Sequence, residues 1–207
     1  MNSFPTTSTT LIATLAEIDT GVDQSAWYRF FELYQPVMVE FARVKGAGDD
    51  AEDVVQEVFA DLVKVFRAGR YVRGKGRFRS YLAKMLRNEL INRFRRMQSR
   101  PEGAAEAIAS EETAAECQVG RARTLAAPQE PLDDEGAWRL ANHRAAVEHV
   151  LTKTSLSEQS RRIYRELLAT GDSCAEVACR MGLPAATVRQ VKSRVSRMIV
   201  AYEKTVE

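Results

Sequence analysis

Hydrophobic positions recur at helical spacing through most of this chain, and the pattern predicts an all-α protein. Leu11, Ile12, Leu15 and Ile18 form a short stripe, read as a small helix ended near Gly21. From about Gln24, the residues Trp27, Phe30, Phe31, Tyr34, Val37, Met38 and Phe41 recur on one helical face and read as core. Pro36 is expected to bend or divide that helix, and Gly46-Ala47-Gly48 to end it. Asp49 and Asp50 then cap a helix whose inner face is Val54, Val55, Val58, Phe59, Leu62, Val63 and Phe66. Glu52 and Asp53 suit its positive N-terminal end. The stretch Gly76 to Arg100 predicts a further helix, with Leu82, Leu86, Leu90 and Phe94 stepping every fourth residue. Met85, Ile91 and Met97 widen that stripe, Ser80 is the predicted N-cap, and Pro101 ends the segment.

The pattern lapses from Pro101 to Gly136, where Ile108, Val119, Leu125 and Leu132 are the large apolar residues. Such a segment cannot bury a core and reads as a flexible linker. Order returns at Ala137. Trp138, Leu140, Ala141, Val147, Val150 and Leu151 predict a helix ending near Lys153. The next helix spans about Ser157 to Ala169, with Ile163, Tyr164, Leu167 and Leu168 inward and Gly171 as its stop. Ser173 and Glu176 fit a capping box that opens a short helix, Cys174 to Met181, closed by Gly182. After Leu183-Pro184 a long helix begins near Ala185, buried along Val188, Val191, Val195, Met198, Ile199 and Tyr202. A short helix, a glycine-containing turn and a long basic helix make a helix-turn-helix. The expected organisation is a tail at 1–23, a helical domain at 24–100, a linker at 101–136 and a second helical domain at 137–207.

Charge sharpens this picture. The net charge of the 207 residues is only +2. Yet Gly69 to Arg100 is almost wholly basic, while Glu102 to Glu135 is acidic apart from Arg121 and Arg123. On the helix after Gly76, Lys84, Asn88, Asn92 and Arg96 step every fourth residue, two positions out of phase with the leucines. Two residues are about 200° of rotation, so this row faces away from the core. Glu89 is its only acid. Such a helix repels itself unless a polyanion is near: Lys84, Arg87, Arg95 and Arg96 suit phosphates, and Asn88 and Asn92 suit a base edge. Phe78 and Tyr81 lie beside the charges, where a ring can stack on an unpaired base. The preceding helix presents Asp53, Gln56, Glu57 and Asp61 outward, so two separate partners are expected, one basic and one phosphorylated. On the last helix, Thr187, Arg189, Gln190 and Arg194 are candidate base readers, and Lys192, Ser193 and Arg197 candidate phosphate holders.

Several classes fall away. The three cysteines, Cys117, Cys174 and Cys179, are odd in number and lack paired metal spacing, which fits a reducing cytoplasm. Taken with His143 and His149 they match no common zinc pattern, and Cys174 and Cys179 read as core residues. No segment approaches the ~20 apolar residues of a membrane span, so a soluble cytoplasmic protein without membrane insertion is expected. Arg73-Gly74-Lys75-Gly76 has the wrong spacing for a phosphate loop. No nucleophile, metal cluster or phosphate loop stands in a workable arrangement, so neither catalysis nor a cofactor or metal is expected.

The order and wording of these segments resemble bacterial sigma factors of the extracytoplasmic-function type. Asp50-Ala51-Glu52-Asp53-Val54-Val55-Gln56-Glu57-Val58-Phe59 is similar to the segment that docks on the clamp helices of RNA polymerase. Gly76-Arg77-Phe78-Arg79-Ser80-Tyr81-Leu82, then Arg87-Asn88-Glu89-Leu90-Ile91-Asn92 and Arg95-Arg96, resembles the −10 reading and melting segment. Leu156 to Arg197 resembles the −35 helix-turn-helix. The resemblance implies a sigma-2-like bundle and a sigma-4-like domain, with Asp53, Gln56 and Glu57 on RNA polymerase core. It implies −10 contacts from Phe78, Tyr81, Lys84, Arg87, Asn88, Asn92, Arg95 and Arg96. It implies −35 contacts from Thr187, Arg189, Gln190, Lys192, Ser193, Arg194 and Arg197. Promoter DNA is the implied partner, and an anti-sigma factor is common in the family. This chain departs from the pattern at Tyr81, where Trp is common, at Asn92, where Asp is frequent, at Cys174 and Cys179, and in its long linker. The alternative is a free-standing helix-turn-helix regulator that binds operators without polymerase.

Overall fold

The computed structural model describes residues 15, 24–71, 77–98 and 133–206. Every regular element among them is helical: α1 (Gln24–Val44), a 3-10 turn (Gly48–Asp50), α2 (Ala51–Arg67), α3 (Phe78–Gln98), α4 (Asp134–Lys153), α5 (Glu158–Thr170), α6 (Cys174–Met181) and α7 (Ala185–Val206). The readings for the rest of the tail, the Arg73–Gly76 loop, the 101–132 segment and Cys117 lie outside the described residues.

The aromatic stripe of α1 makes the first core. Phe30 stacks on Tyr34 and meets Phe59 and Phe78 edge-on, while Phe31 stacks on Phe59 at 3.8 Å between centroids. Val54, Val55, Val58 and Leu62 of α2 and Leu82, Leu86 and Leu90 of α3 close the bundle. The helix runs through Pro36 undivided. A proline forfeits one backbone hydrogen bond, and the buried Tyr34, Val37 and Met38 around it hold both halves on one core.

The second core gathers Val150 and Leu151 of α4, Ile163, Tyr164 and Leu167 of α5, Val177 and Ala178 of α6, and Val188, Val195 and Ile199 of α7. Ser173 and Glu176 form both bonds of the capping box, and Gly182 closes α6 with φ 65°, a left-handed geometry that favours glycine. Helix α4 belongs to both cores. Its first half, Ala137, Trp138, Ala141 and Ala145, packs on α1, while Ala146, Val150 and Leu151 face the second core.

Several local expectations are corrected. Helix α3 starts at Phe78, so Ser80 lies inside its first turn rather than capping it. Asp50 stands at the N-cap of α2 without a side-chain cap bond; its carboxylate accepts from Arg93 instead. Helix α4 starts at Asp134, capped by Asp133, whose carboxylate accepts from the Gly136 amide at 2.7 Å, three residues ahead of the expected start. Ile91 and Phe94, expected in the α3 stripe, are exposed. Leu168, one residue round the helix from Leu167, is also exposed, and so is Cys179.

Candidate nucleic-acid interface

The two-residue offset on α3 does what helical geometry requires. Leu82, Leu86 and Leu90 are buried, and Lys84, Arg87, Asn88, Asn92, Arg95 and Arg96 are exposed. Tyr81 is half-buried, and burial pushes its hydroxyl pKa up. Phe78 departs from expectation. Its ring lies inside the first core, between Phe30, Tyr34, Phe66 and Tyr71, so it is not presented to a base. Position 78 opens the helix on the leucine side, four residues before Leu82, and the aromatic cluster claims it.

Asp53, Gln56 and Glu57 are all exposed on α2. They do not stand apart from the basic helix, however. Arg93 reaches back and donates to Asp50 at 2.9 Å and to Asp53 at 3.4 Å, with Glu57 at 3.8 Å. Arg96 donates to Glu89 at 2.5 Å and lies 3.7 Å from Glu57. The acidic and basic faces therefore meet in one ion-pair network across the α2–α3 seam. The hydrogen bond that Arg93 donates to Asp50, ahead of the neighbouring charges, raises the pKa of Arg93 and holds it protonated. Burial, then the adjoining Glu57, raises the pKa of Glu89, with Arg96 and Asn92 pulling the other way.

At the other end of α3 a cleft is lined by Arg79, Ser80, Lys84 and Arg87 on one side and by Asp133, Asp134, Glu135 and Trp138 of α4 on the other. Arg79 donates to Glu135 at 2.8 Å; Asp134 sits 3.0 Å from Lys45 and 3.1 Å from Arg87. The sequence assigns these acids to a linker. The signal that corrects it is local: Asp133-Asp134-Glu135 directly before Ala137-Trp138 is an N-cap with an acidic first turn. Arg93 and Lys45 carry no comparable local signal, because their partners are distant in sequence.

On α7, Arg189, Gln190, Lys192, Ser193, Arg194 and Arg197 are exposed and Thr187 is half-buried. Beneath them Val188, Val195 and Ile199 are buried, which fixes the rotation of the helix and turns the basic side outward. Arg180 of α6 bonds Glu166 of α5 at 2.6 Å and also Asp172, tying the turn-forming helix to its neighbour. Glu203, the first acid on α7, is occupied elsewhere: its carboxylate meets His143 at 2.7 Å, and its backbone carbonyl accepts from Asn142. The arrangement presents two basic surfaces, one on α3 with amides among the cations and one on α7 in helix-turn-helix form. No helix among the described residues is long and apolar enough to cross a membrane.

Residues 30–100 match the family model Sigma-70 region 2. The match runs from the aromatic heart of α1 through the end of α3 and supports a sigma-factor role in RNA polymerase binding and promoter recognition. No curated protein matches the chain.

Proposed function

We propose that this chain is a sigma factor of the extracytoplasmic-function type. It binds RNA polymerase core through Asp53, Gln56 and Glu57 of α2. It holds the non-template strand of the −10 element along α3, with Lys84, Arg87, Arg95 and Arg96 on phosphates and Asn88 and Asn92 at a flipped base. Half-buried Tyr81 borders that site, while Phe78 supports it from within the core. Flipping a base costs a few kcal/mol of unstacking, which contacts at such a site must offset. Helix α7 enters the major groove at the −35 element, where Thr187, Arg189, Gln190 and Arg194 face base edges and Lys192, Ser193 and Arg197 the backbone.

The observation that carries this reading is the family match at residues 30–100, coincident with an exposed row of cations and asparagines on α3. A second basic helix in helix-turn-helix form supports it. The test is transcription in vitro with polymerase core on a promoter library, alongside capture of core by the tagged protein. Core binding and promoter-dependent transcripts are expected. Duplex binding without capture of core would leave the free-standing regulator instead.

A further inference from the structure

The two asparagines of the outward row on α3 look alike in the sequence, yet they have different neighbours. Asn88 has Lys84 and Met85 one turn before it and Ile91 and Asn92 one turn after it, with no carboxylate among them. Asn92 has Glu89 three residues earlier, on the same flank of the helix. Glu89 is the sole acid of α3, and its side chain is 13% exposed at the seam with α2. Its carboxylate accepts from Arg96 at 2.5 Å and also from the Asn92 amide.

That place does not suit a carboxylate. Burial and the Glu57 side chain across the seam oppose its charge, while Arg96 and Asn92 support it. A residue kept against such opposition marks a functional or strained position.

An exposed asparagine offers either its carbonyl or its NH2 after a half-turn of its last torsion, so it suits keto and amino groups alike. Donation to Glu89 removes that freedom. With Nδ2 turned to the carboxylate, Oδ1 is the amide atom left to face a base. Adenine and cytosine carry an exocyclic amino donor that matches Oδ1, whereas guanine and thymine carry a keto acceptor in its place. We propose that Glu89 is a positioning residue for base reading: it pins the Asn92 amide with its carbonyl outward and commits that position of α3 to an amino-bearing base, adenine or cytosine. Asn88, with no such acceptor on its own helix, adds affinity without that choice. The pin rests on the sigma-factor reading above and deepens it.

Transcription by the full chain with polymerase core, on a library randomised across the −10 element, tests this. Sequencing the transcripts gives the base preference at every position. The parent should favour adenine or cytosine over guanine and thymine by about tenfold at one position, and Asn92→Ala should flatten it. Glu89→Leu should flatten the same position to within about twofold, and total transcript should not fall, because Arg96 is released. Glu89→Gln keeps an acceptor for Nδ2 and should retain part of the preference; it also serves if thermal unfolding shows that Glu89→Leu does not fold. In an Asn92→Ala background, Glu89→Leu should alter no base preference, since Glu89 acts through Asn92. A preference set by Asn92 that survives Glu89→Leu overturns the pin, as does a uniform loss at all positions. A position set by Asn92 that favours guanine or thymine, or no position set by it, overturns the assignment as well. If no form captures core or gives promoter-dependent transcripts, the sigma-factor reading fails, and the pin with it.

Discussion

Replacing Arg93 with alanine removes a guanidinium that spans three carboxylates of the neighbouring helix segment. Its bond to Asp50 is 2.9 Å, and Asp53 and Glu57 follow at 3.4 and 3.8 Å. A charge-assisted bond of this kind contributes about 1.5–3 kcal/mol when sheltered. Arg93 retains 24% of its side-chain exposure and Asp50 44%, so solvent screening reduces the loss. The expected destabilisation is about 1–1.5 kcal/mol, including the repulsion among the three acids left facing one another. For a chain of this size that lowers Tm by about 2–6 °C. Arg93→Lys should recover part of it, since one charge remains but the fork does not. The gap between wild type and Arg93→Ala should narrow at roughly 0.5 M NaCl, where charges more than a few ångströms apart are screened. Core binding, by contrast, should not weaken, because Asp53 and Glu57 lose an internal competitor. The measurements are thermal unfolding at two salt concentrations and core binding by anisotropy. An unchanged Tm together with loss of promoter opening would refute the reasoning, and would make Arg93 a DNA contact rather than a strut.

Arg189→Ala should relax discrimination at one upstream base pair by about 1–3 kcal/mol, whereas Arg197→Ala should weaken all sequences alike and reduce the salt slope by about 1; a binding series over single-base variants distinguishes the two. Gly182→Ala should cost about 1–2 kcal/mol from left-handed backbone strain alone, because a Cβ there meets nothing within 4 Å; urea unfolding measures it, and Gly182→Asn should cost less. His149 stacks on Tyr202, and burial, followed by the charge of Lys153, lowers its pKa. A depressed histidine contributes stability above its unfolded value of about 6.5 and loses it as pH falls through the folded value. His149→Gln should therefore flatten the decline in stability below about pH 6.5, as followed by unfolding across pH.

Much of the candidate site was legible because its logic is local. Helical period sets which of Leu82 and Lys84 faces inward, and capping chemistry sets the bounds of α6; both need only a few neighbouring residues. The misreading of Phe78 has a different cause. Its ring has surroundings that come from elsewhere in the chain. An aromatic at the start of a basic helix suits a nucleobase as well as a core, and only the ring cluster of Phe30, Phe66 and Tyr71 decides between them. The sequence pattern assigns Arg93 no role, and its partner Asp50 lies 43 positions earlier.

Alone, then, the sequence determined the helices, the inner and outer faces of α3 and α7, and the helix-turn-helix, since each follows from spacing and side-chain chemistry within a few turns. Tertiary structure decided how those faces are used. It joined the acids of α2 to Arg93 and Arg96, and it seated Asp134 and Glu135 on the basic end of α3. The physical reason is that charge pairing acts through space. A carboxylate 56 residues away along the chain lies 2.8 Å from Arg79, and no periodicity in the sequence encodes that distance.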